Sequence, residues 1–242
     1  MQDRSRNHLL GSLTDSDRDR LAAELQPVKL TLHRLLEVRG HDVEWNYFPE
    51  SGIASVIAES SSGHSAETGV IGLEGMTGIG VLLGDRCAAQ SIVMQIEGSG
   101  HRIAVHRMEA LLAESDALRE RLQLFARAFM IQTAHSALAS GAGLLEQRLA
   151  RWLLMLHDRV EGDGLAITHD YIATMLSVRR PGVSVALKVL EDQGLIRVNR
   201  GLIVVVDRQG LVMKSNGLYG SAEHEYRRLL QWPDDTRLVK VS

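Results

Sequence analysis

Residues Thr168–Ile196 have the sequence THDYIATMLSVRRPGVSVALKVLEDQGLI, and this stretch decides the fold. Its pattern predicts two short helices joined by a tight turn. Thr168 suits the cap of the first helix, because its hydroxyl can accept a backbone N–H that the first turn leaves unbonded. Pro181 suits the first turn of the second helix, where its missing N–H costs nothing. Gly194 then supplies the left-handed residue that commonly ends a helix.

The second of these helices has an apolar side and a polar side. The residues predicted to be buried are Val183, Leu187 and Leu190. Arg180, Ser184 and Lys188 follow at intervals of four on the opposite side, so all three can reach into one groove. Residues 195–207 predict a β-hairpin behind the helix pair, with its turn at Asn199-Arg200-Gly201. A helix pair with a polar outer stripe and such a wing is typical of proteins that read DNA.

The overall composition limits where DNA affinity can come from. The chain has 242 residues, 45% hydrophobic and 24% charged, and its formal net charge is −3. The length allows one large domain or two modest ones. The negative net charge excludes a globally basic nucleic-acid-binding protein, so any affinity for DNA must arise from local charge. Between Ser177 and Arg200 five basic residues stand against two acidic ones, which is a local basic excess.

Several other classes of protein and of site are not favoured. A single cysteine, Cys87, cannot form an internal disulfide or an all-cysteine iron–sulfur site within one chain. No apolar run is long enough to span a bilayer and no signal-peptide core is present, so we expect a cytoplasmic protein. No nucleophile–base pair, phosphate loop or paired carboxylates stand out, so we do not expect an enzyme. His101 and His106, five residues apart, would lie on opposite faces of a strand and could share a metal only if the strand ended between them. No metal or haem site is therefore predicted.

The amino-terminal half predicts a small antiparallel β-barrel or sandwich. Residues 1–30 read as helical. After them, short strands alternate with turn signals at regular spacing. The predicted strands are 43–48, 53–57, 70–73, 91–96 and 101–105. The last two are expected to be separated by a turn at Gly98-Ser99-Gly100.

A long helix is predicted to follow the strands. Met108–Leu138 contains neither glycine nor proline. A narrow apolar seam runs along it, formed by Leu118, Leu122, Phe125 and Phe129. Such a seam favours contact between two helices of a dimer, the alternative being that the helix packs on its own barrel. The small residues of Ser140-Gly141-Ala142-Gly143 predict a hinge after the helix.

With these elements in order, the chain resembles the CRP/FNR superfamily of bacterial transcription regulators. The most specific part is LEQRLARWLLMLHDRV, residues 145–160, followed by the helix pair and the hairpin. Residues 47–56 (YFPESGIASV) and 69–84 (GVIGLEGMTGIGVLLG) look like the effector barrel of a diverged subgroup. The resemblance implies an α+β fold with three parts. These are a β-roll sensor domain at 1–107, a long dimerisation helix at 108–140 and a winged helix-turn-helix domain at 141–242.

The resemblance also implies a function and partners. The expected protein is a homodimer that binds a pseudo-palindromic operator in double-stranded DNA, with RNA polymerase as a further candidate partner and no membrane. A second hypothesis is a small-molecule sensor that has lost DNA binding and acts through a protein partner. Salt dependence separates the two, because phosphate contacts weaken steeply as salt is added.

The predicted effector pocket departs from the cyclic-nucleotide-binding members. Those members use a Gly-Glu-Leu-Gly turn for the ribose and a nearby Arg-Ser-Ala for the cyclic phosphate. The corresponding residues are Gly75, Met76, Thr77 and Gly78, and Arg86, Cys87 and Ala88. Met76 stands where the carboxylate is expected and cannot bond ribose hydroxyls as a carboxylate does, so cAMP is not expected. Arg86 remains available for another anion, and the effector and any cofactor stay unknown.

The reading helix departs as well. The family's usual arginine, glutamate and second arginine correspond here to Arg180, Pro181 and Val185. The predicted base contacts are Arg180, Ser184, Val185 and Lys188. The predicted contacts to the DNA backbone, which position without specifying, are Thr168, Arg179 and Arg200. We therefore expect an operator different from the family's best-known sequence.

Overall fold

The computed structural model describes residues 5–231, so the last eleven residues of the predicted third domain lie outside it. The strands are β1 (Gln26–Leu30), β2 (Leu35–Glu37), β3 (Trp45–Pro49), β4 (Ile53–Glu59), β5 (Ser65–Ile71), β6 (Ser91–Ile96), β7 (Gly98–Ala104), β8 (Gly164–Leu165), β9 (Ile196–Asn199) and β10 (Leu202–Val205). The helices are α1 (His8–Gly11), α2 (Asp15–Ala22), α3 (Ile79–Leu82), α4 (Val105–Glu114), α5 (Asp116–Ala142), α6 (Leu145–His157), α7 (His169–Met175), α8 (Arg180–Asp192), α9 (Arg208–Lys214) and α10 (Ser221–Leu230). No helix in this range combines the length and apolarity needed to cross a membrane.

Two antiparallel sheets form a roll in the amino-terminal half. One has the strand order β1-β7-β3, and the other has the order β2-β6-β4-β5. Apolar side chains fill the space between them, because alternate residues of each strand face inward. This core includes Leu30 and Tyr47 from the first sheet, Ile71 and Met94 from the second, and Phe129 from α5. The predicted antiparallel β-domain is confirmed.

Two details of the roll differ from the prediction. Residues 26–30, expected to be helical, form the edge strand β1 on β7, and an edge position tolerates Pro27. Gly98 and Gly100, expected in a turn, belong to β7 itself. A Cβ on Gly98 would lie 2.1 Å from the Ser51 carbonyl oxygen, and one on Gly100 would lie 2.2 Å from that of Phe48. These glycines therefore serve close packing of backbones within the roll.

The long helix is broken near its start. The predicted uninterrupted helix is wrong, because α4 ends at Glu114 and the Ser115 hydroxyl accepts the Leu118 N–H at 3.2 Å, which caps a new helix, α5. At its other end α5 continues through Gly141 and stops at Gly143. The expected hinge is thus reduced to the Gly143–Leu144 link.

The apolar seam of α5 is covered by its own chain. Its members, Leu118, Leu122, Phe125 and Phe129, are at most 6% exposed. Helix α10 returns to this side of α5, where the Tyr226 ring meets Phe125 edge to face at 6.3 Å. Arg121 Nη1 donates to the Leu230 carbonyl at 3.3 Å. The prediction that the seam is a dimer contact is wrong, because the roll and α10 occupy it.

The carboxyl-terminal half rests directly on the β4–β5 hairpin of the roll. Ile53 and Val70 belong to the same apolar core as Leu149 and Leu153 of α6. The Trp152 indole N–H donates to Glu67 Oε1 at 2.7 Å. The hinge is therefore bridged by packing and by hydrogen bonds between the two halves.

A buried ion pair closes this junction. Arg159 Nε donates to Glu74 Oε1 at 2.6 Å, and the two side chains are 2% and 0% exposed. Glu74 Oε2 accepts the Gly72 N–H at 3.1 Å, while Arg159 Nη1 donates to the Met155 carbonyl. Burial lowers the pKa of Arg159, but attraction to Glu74 and other nearby groups more than offsets this and raises it.

Candidate nucleic-acid interface

Helix α7 and its turn adopt the local geometry that the sequence predicts. The Thr168 hydroxyl accepts the Tyr171 N–H at 3.3 Å and so caps α7. After Leu176 the chain reverses through Ser177, which has a φ of 51°. Left-handed backbone at a non-glycine residue costs roughly 1–2 kcal/mol. The turn accepts this strain because the Val178 N–H then reaches the Ala173 carbonyl at 2.9 Å.

Helix α8 separates an inner side from an outer one. Arg179 is its N-cap residue, and Pro181 lies in its first turn. The predicted burial of Val183, Leu187 and Leu190 is confirmed. The outer side is formed by the four predicted base contacts, which are Arg180, Ser184, Val185 and Lys188. These residues form an exposed face about two turns long.

Each of the two cations of this face has a carboxylate partner. Arg180 Nε lies 2.9 Å from Asp170 Oδ1, and Lys188 Nζ lies 2.6 Å from Asp192 Oδ1. The hydrogen bond and charge of Asp192 raise the pKa of Lys188. All four side chains are more than half exposed, so these pairs contribute little stability and exchange readily for other anions.

The three residues predicted to contact the DNA backbone are all exposed. Thr168 and Arg179 stand at the amino-terminal ends of α7 and α8. Arg200 stands at the tip of the wing, between Asn199 and Leu202, which pair across the hairpin. Gly201 completes this turn with a φ of 72°.

The turn predicted to hold an effector is filled by protein atoms. Met76 is 0% exposed, within the core that also contains Phe125. A Cβ on Gly75 would lie 2.3 Å from the Phe125 ring, so the backbone is pressed against that ring. Thr77 is buried too, and its hydroxyl accepts the Tyr47 N–H at 3.1 Å.

The carboxylate of Glu37, a residue that the sequence did not single out, lies at this turn. Glu37 of β2 accepts the Gly78 N–H at 2.5 Å. Burial raises the pKa of Glu37 to about 7, although hydrogen bonds from Gly78 and Thr77 act in the opposite direction. No sequence pattern ties residue 37 to residue 78, because only the folded sheet brings them together.

The structure does not bring the Arg86 guanidinium to this buried turn. Arg86 is exposed, and its Nε and Nη2 both donate to the carboxylate of Glu109 on α4. The hydrogen bonds and charge of Glu109 raise the pKa of Arg86. Cys87 is exposed and Ala88 is buried. The residues predicted to form one anion pocket are thus divided between the surface and the core.

The histidine and carboxylate side chains do not assemble into a metal site in the described part of the chain. Over 5–231, no cluster of three or more histidine, cysteine, aspartate or glutamate side chains could hold a metal ion. His101 lies in β7, whereas His106 lies in α4, so the two do not share a strand as expected. The His101 ring instead approaches Glu50, with 3.6 Å between Nδ1 and Oε1.

Comparisons with known proteins point to one group of folds. Residues 147–213 match the family model described as a Crp-like helix-turn-helix domain. No curated protein matches the sequence. A CRP/FNR-family transcriptional regulator of Eubacterium rectale is 16% identical, with a TM-score of 0.66 over 86% of this chain and 98% of that one. FixK2 of Bradyrhizobium japonicum is 17% identical, with a TM-score of 0.68 over 78% of this chain and 96% of its own. A CRP-family regulator of Thermus thermophilus is 18% identical, with a TM-score of 0.65 over 78% of this chain and 97% of its own.

Proposed function

Because this chain carries a Crp-like helix-turn-helix domain within the fold of the CRP/FNR transcription regulators, we propose that it binds a specific DNA operator as a homodimer. The observation that carries the proposal is the exposed outer face of α8. There Arg180 and Lys188 are more than 60% exposed, and their acidic partners are weakly held. An α-helix that presents such side chains fits the major groove of B-DNA.

Each exposed residue has a role that its chemistry supports. Arg180 offers a fork of donors to the two acceptors of guanine, and exposed Val185 offers an apolar contact to a thymine methyl. Ser184 and Lys188 add polar contacts to base edges. Thr168, Arg179 and Arg200 bind phosphates and fix the register of α8 in the groove.

Selection from random duplexes tests this function. The full-length protein is incubated with a library of random double-stranded DNA, and bound sequences are recovered at about 0.1 M and 0.2 M salt. We expect a pseudo-palindrome whose half-sites lie about one helical turn apart. We also expect an affinity for it that falls steeply with salt. Recovery of unrelated sequences, or an affinity that does not respond to salt, would favour a regulator that works through a protein partner.

The surface for self-association is a different side of α5 from the covered seam. Leu124, Ile131 and Leu138 recur at every seventh residue, which is the spacing of a two-helix seam. Leu124 and Ile131 are only partly buried by their own chain. Leu138 is 53% exposed and the neighbouring Met130 is 63% exposed. Exposed Ala134, between Ile131 and Leu138, allows a second helix to approach closely. We place a second copy of this chain on this face.

Substitution of Leu138 tests the dimer face. Leu138→Glu is expected to convert the dimer to a monomer, because paired chains would bring two carboxylates together in an apolar seam. Light scattering after size exclusion measures the mass. Leu83→Glu is the matched control, since Leu83 is a leucine of the roll with 61% exposure. A dimer that survives Leu138→Glu, or that Leu83→Glu also disrupts, would remove α5 from the proposed contact.

The proposed operator binding does not require cAMP. The buried Met76 and the contact of Gly75 with Phe125 leave the corresponding turn occupied by the protein's own atoms. Glu37 already bonds the backbone N–H of Gly78. These contacts support a regulator whose response, if it has an effector, depends on chemistry other than that of a cyclic nucleotide.

A further inference from the structure

A cavity of about 300 Å³ lies where the roll, the long helix and the helix-turn-helix domain meet. Its walls come from β5, the carboxyl-terminal end of α5, α6 and the turn after α7. The volume corresponds to on the order of ten water molecules at liquid density. It lies at the lower end of the range for small-molecule sites. The cavity is separate from the filled turn at residues 75–78 and from the surface at Arg86.

Polar side chains from three of these elements line the cavity. They are Glu67 of β5, Ser136 and Ser140 of α5, and Arg148, Arg151 and Trp152 of α6. Two guanidinium groups therefore stand against one carboxyl group. This composition differs from a packing defect, which is lined by apolar side chains.

Arg151 is the buried cation of this site. It is 5% exposed, and within residues 5–231 no carboxylate forms an ion pair with it. Its Nε is buried without a hydrogen bond. Its Nη2 makes only long contacts, 3.5 Å to the Gln132 carbonyl and 3.3 Å to Ser136 Oγ. Burial lowers the pKa of Arg151, although the charges of Glu223 and Glu67 oppose this. A buried charge with so few partners is costly, and an anion in the cavity would compensate for it.

Glu67 supplies a second incompletely bonded group. Its Oε1 accepts the Trp152 indole N–H, whereas its Oε2 is buried without a hydrogen bond. Burial raises the pKa of Glu67 to about 7, and nearby Ser55 and Trp152 offset only part of this. Near neutral pH the group is thus often protonated and can donate a hydrogen bond from Oε2. A ligand beside Arg151 would therefore meet a largely neutral carboxyl group here and not a repelling charge.

We propose that this cavity binds a small organic anion, whose carboxylate or phosphate group pairs with Arg151 while its polar body meets Glu67 and Ser140. Arg148 connects the site to the DNA-reading half, because its Nη2 donates to the Leu176 carbonyl at 2.5 Å. A bound anion therefore contacts the roll, the long helix and the turn before α8 at once. Occupancy stabilises the docked arrangement of the two halves.

Thermal unfolding of the full-length protein tests the site without DNA, so the result does not depend on the proposed operator binding. Inorganic phosphate and citrate are titrated separately against sodium chloride of equal ionic strength. We expect one of them to raise the Tm saturably by about 2–4 °C. The two probes distinguish phosphate-bearing from carboxylate ligands. Both ions also stabilise proteins generally, so the comparison between variants is decisive.

Arg151→Met is the test variant and Arg86→Met the matched control. Replacing a buried unpaired cation by an apolar side chain is expected to leave the anion-free protein at least as stable as the native one. The saturable rise should be absent in Arg151→Met and retained in Arg86→Met. A rise equal in all three proteins, no saturable rise in the native protein, or a loss in Arg86→Met alone would overturn the proposal.

Discussion

Arg180→Ala is expected to weaken binding to the selected operator by roughly 5- to 150-fold, which corresponds to about 1–3 kcal/mol for one bidentate contact to guanine. The side chain is exposed and its ion pair with Asp170 lies at the surface, so little folding stability is lost with it. The effect should therefore appear in DNA affinity and not in Tm. Fluorescence anisotropy with a labelled operator measures the affinity.

The specificity of this effect matters more than its size. The native protein should bind an operator whose contacted guanine is replaced more weakly than the selected operator. Arg180→Ala has already lost this contact, so it should bind the two operators with nearly equal affinity. Arg39→Ala is the matched control, since Arg39 is an exposed arginine of the roll remote in sequence from the reading helix. Equal losses for Arg180→Ala and Arg39→Ala, or an equal loss on every operator variant, would reassign Arg180 to a nonspecific charge effect.

Glu74→Gln is expected to lower the free energy of unfolding by about 3–5 kcal/mol, because it leaves Arg159 buried without its counter-charge. Glutamine keeps the size of the side chain, so the loss reports charge and hydrogen bonding and not a cavity. Urea unfolding followed by tryptophan fluorescence suits the measurement, since Trp152 lies at the same junction. At a fixed protein concentration, the urea midpoint of Glu74→Gln should be lower than that of the native protein, and no second unfolding step should appear.

Two further variants distinguish the effect of breaking the buried ion pair from the effect of removing any carboxylate charge. Glu109→Gln removes the carboxylate from the exposed pair with Arg86 and is expected to cost at most about 1 kcal/mol. The double variant Glu74→Gln with Arg159→Met should recover much of the stability, because no buried charge is then left alone. A small loss of unfolding free energy in Glu74→Gln, or no recovery of it in the double variant, would contradict the role assigned to the ion pair.

Local chemistry made the reading motif predictable from the sequence. The cap at Thr168, the inner side of α8 and the hairpin turn at Gly201 are all determined by residues within a few positions of one another. The fold class followed from the order of these elements. Whether the outer residues of α8 contact bases remains a prediction, since the protein is described without DNA.

Long-range packing was what the sequence could not provide. The apolar pattern of Leu118, Leu122 and Phe125 identifies a buried side of a helix, but not the partner that buries it. The partner proved to be the roll together with Tyr226, about a hundred residues away along the chain. Glu37 was missed for the same reason.

The return of α10 to α5 has a consequence for synthesis. A chain leaves the ribosome from its amino terminus, so the roll and α5 are available well before residues 221–230 emerge. Until then, the side of α5 that carries Phe125 lacks the Tyr226 ring that later packs on it. The nascent roll therefore passes through an interval in which this apolar side of α5 is incompletely covered. Native packing of the roll against α10 is completed only after the carboxyl-terminal half has been translated.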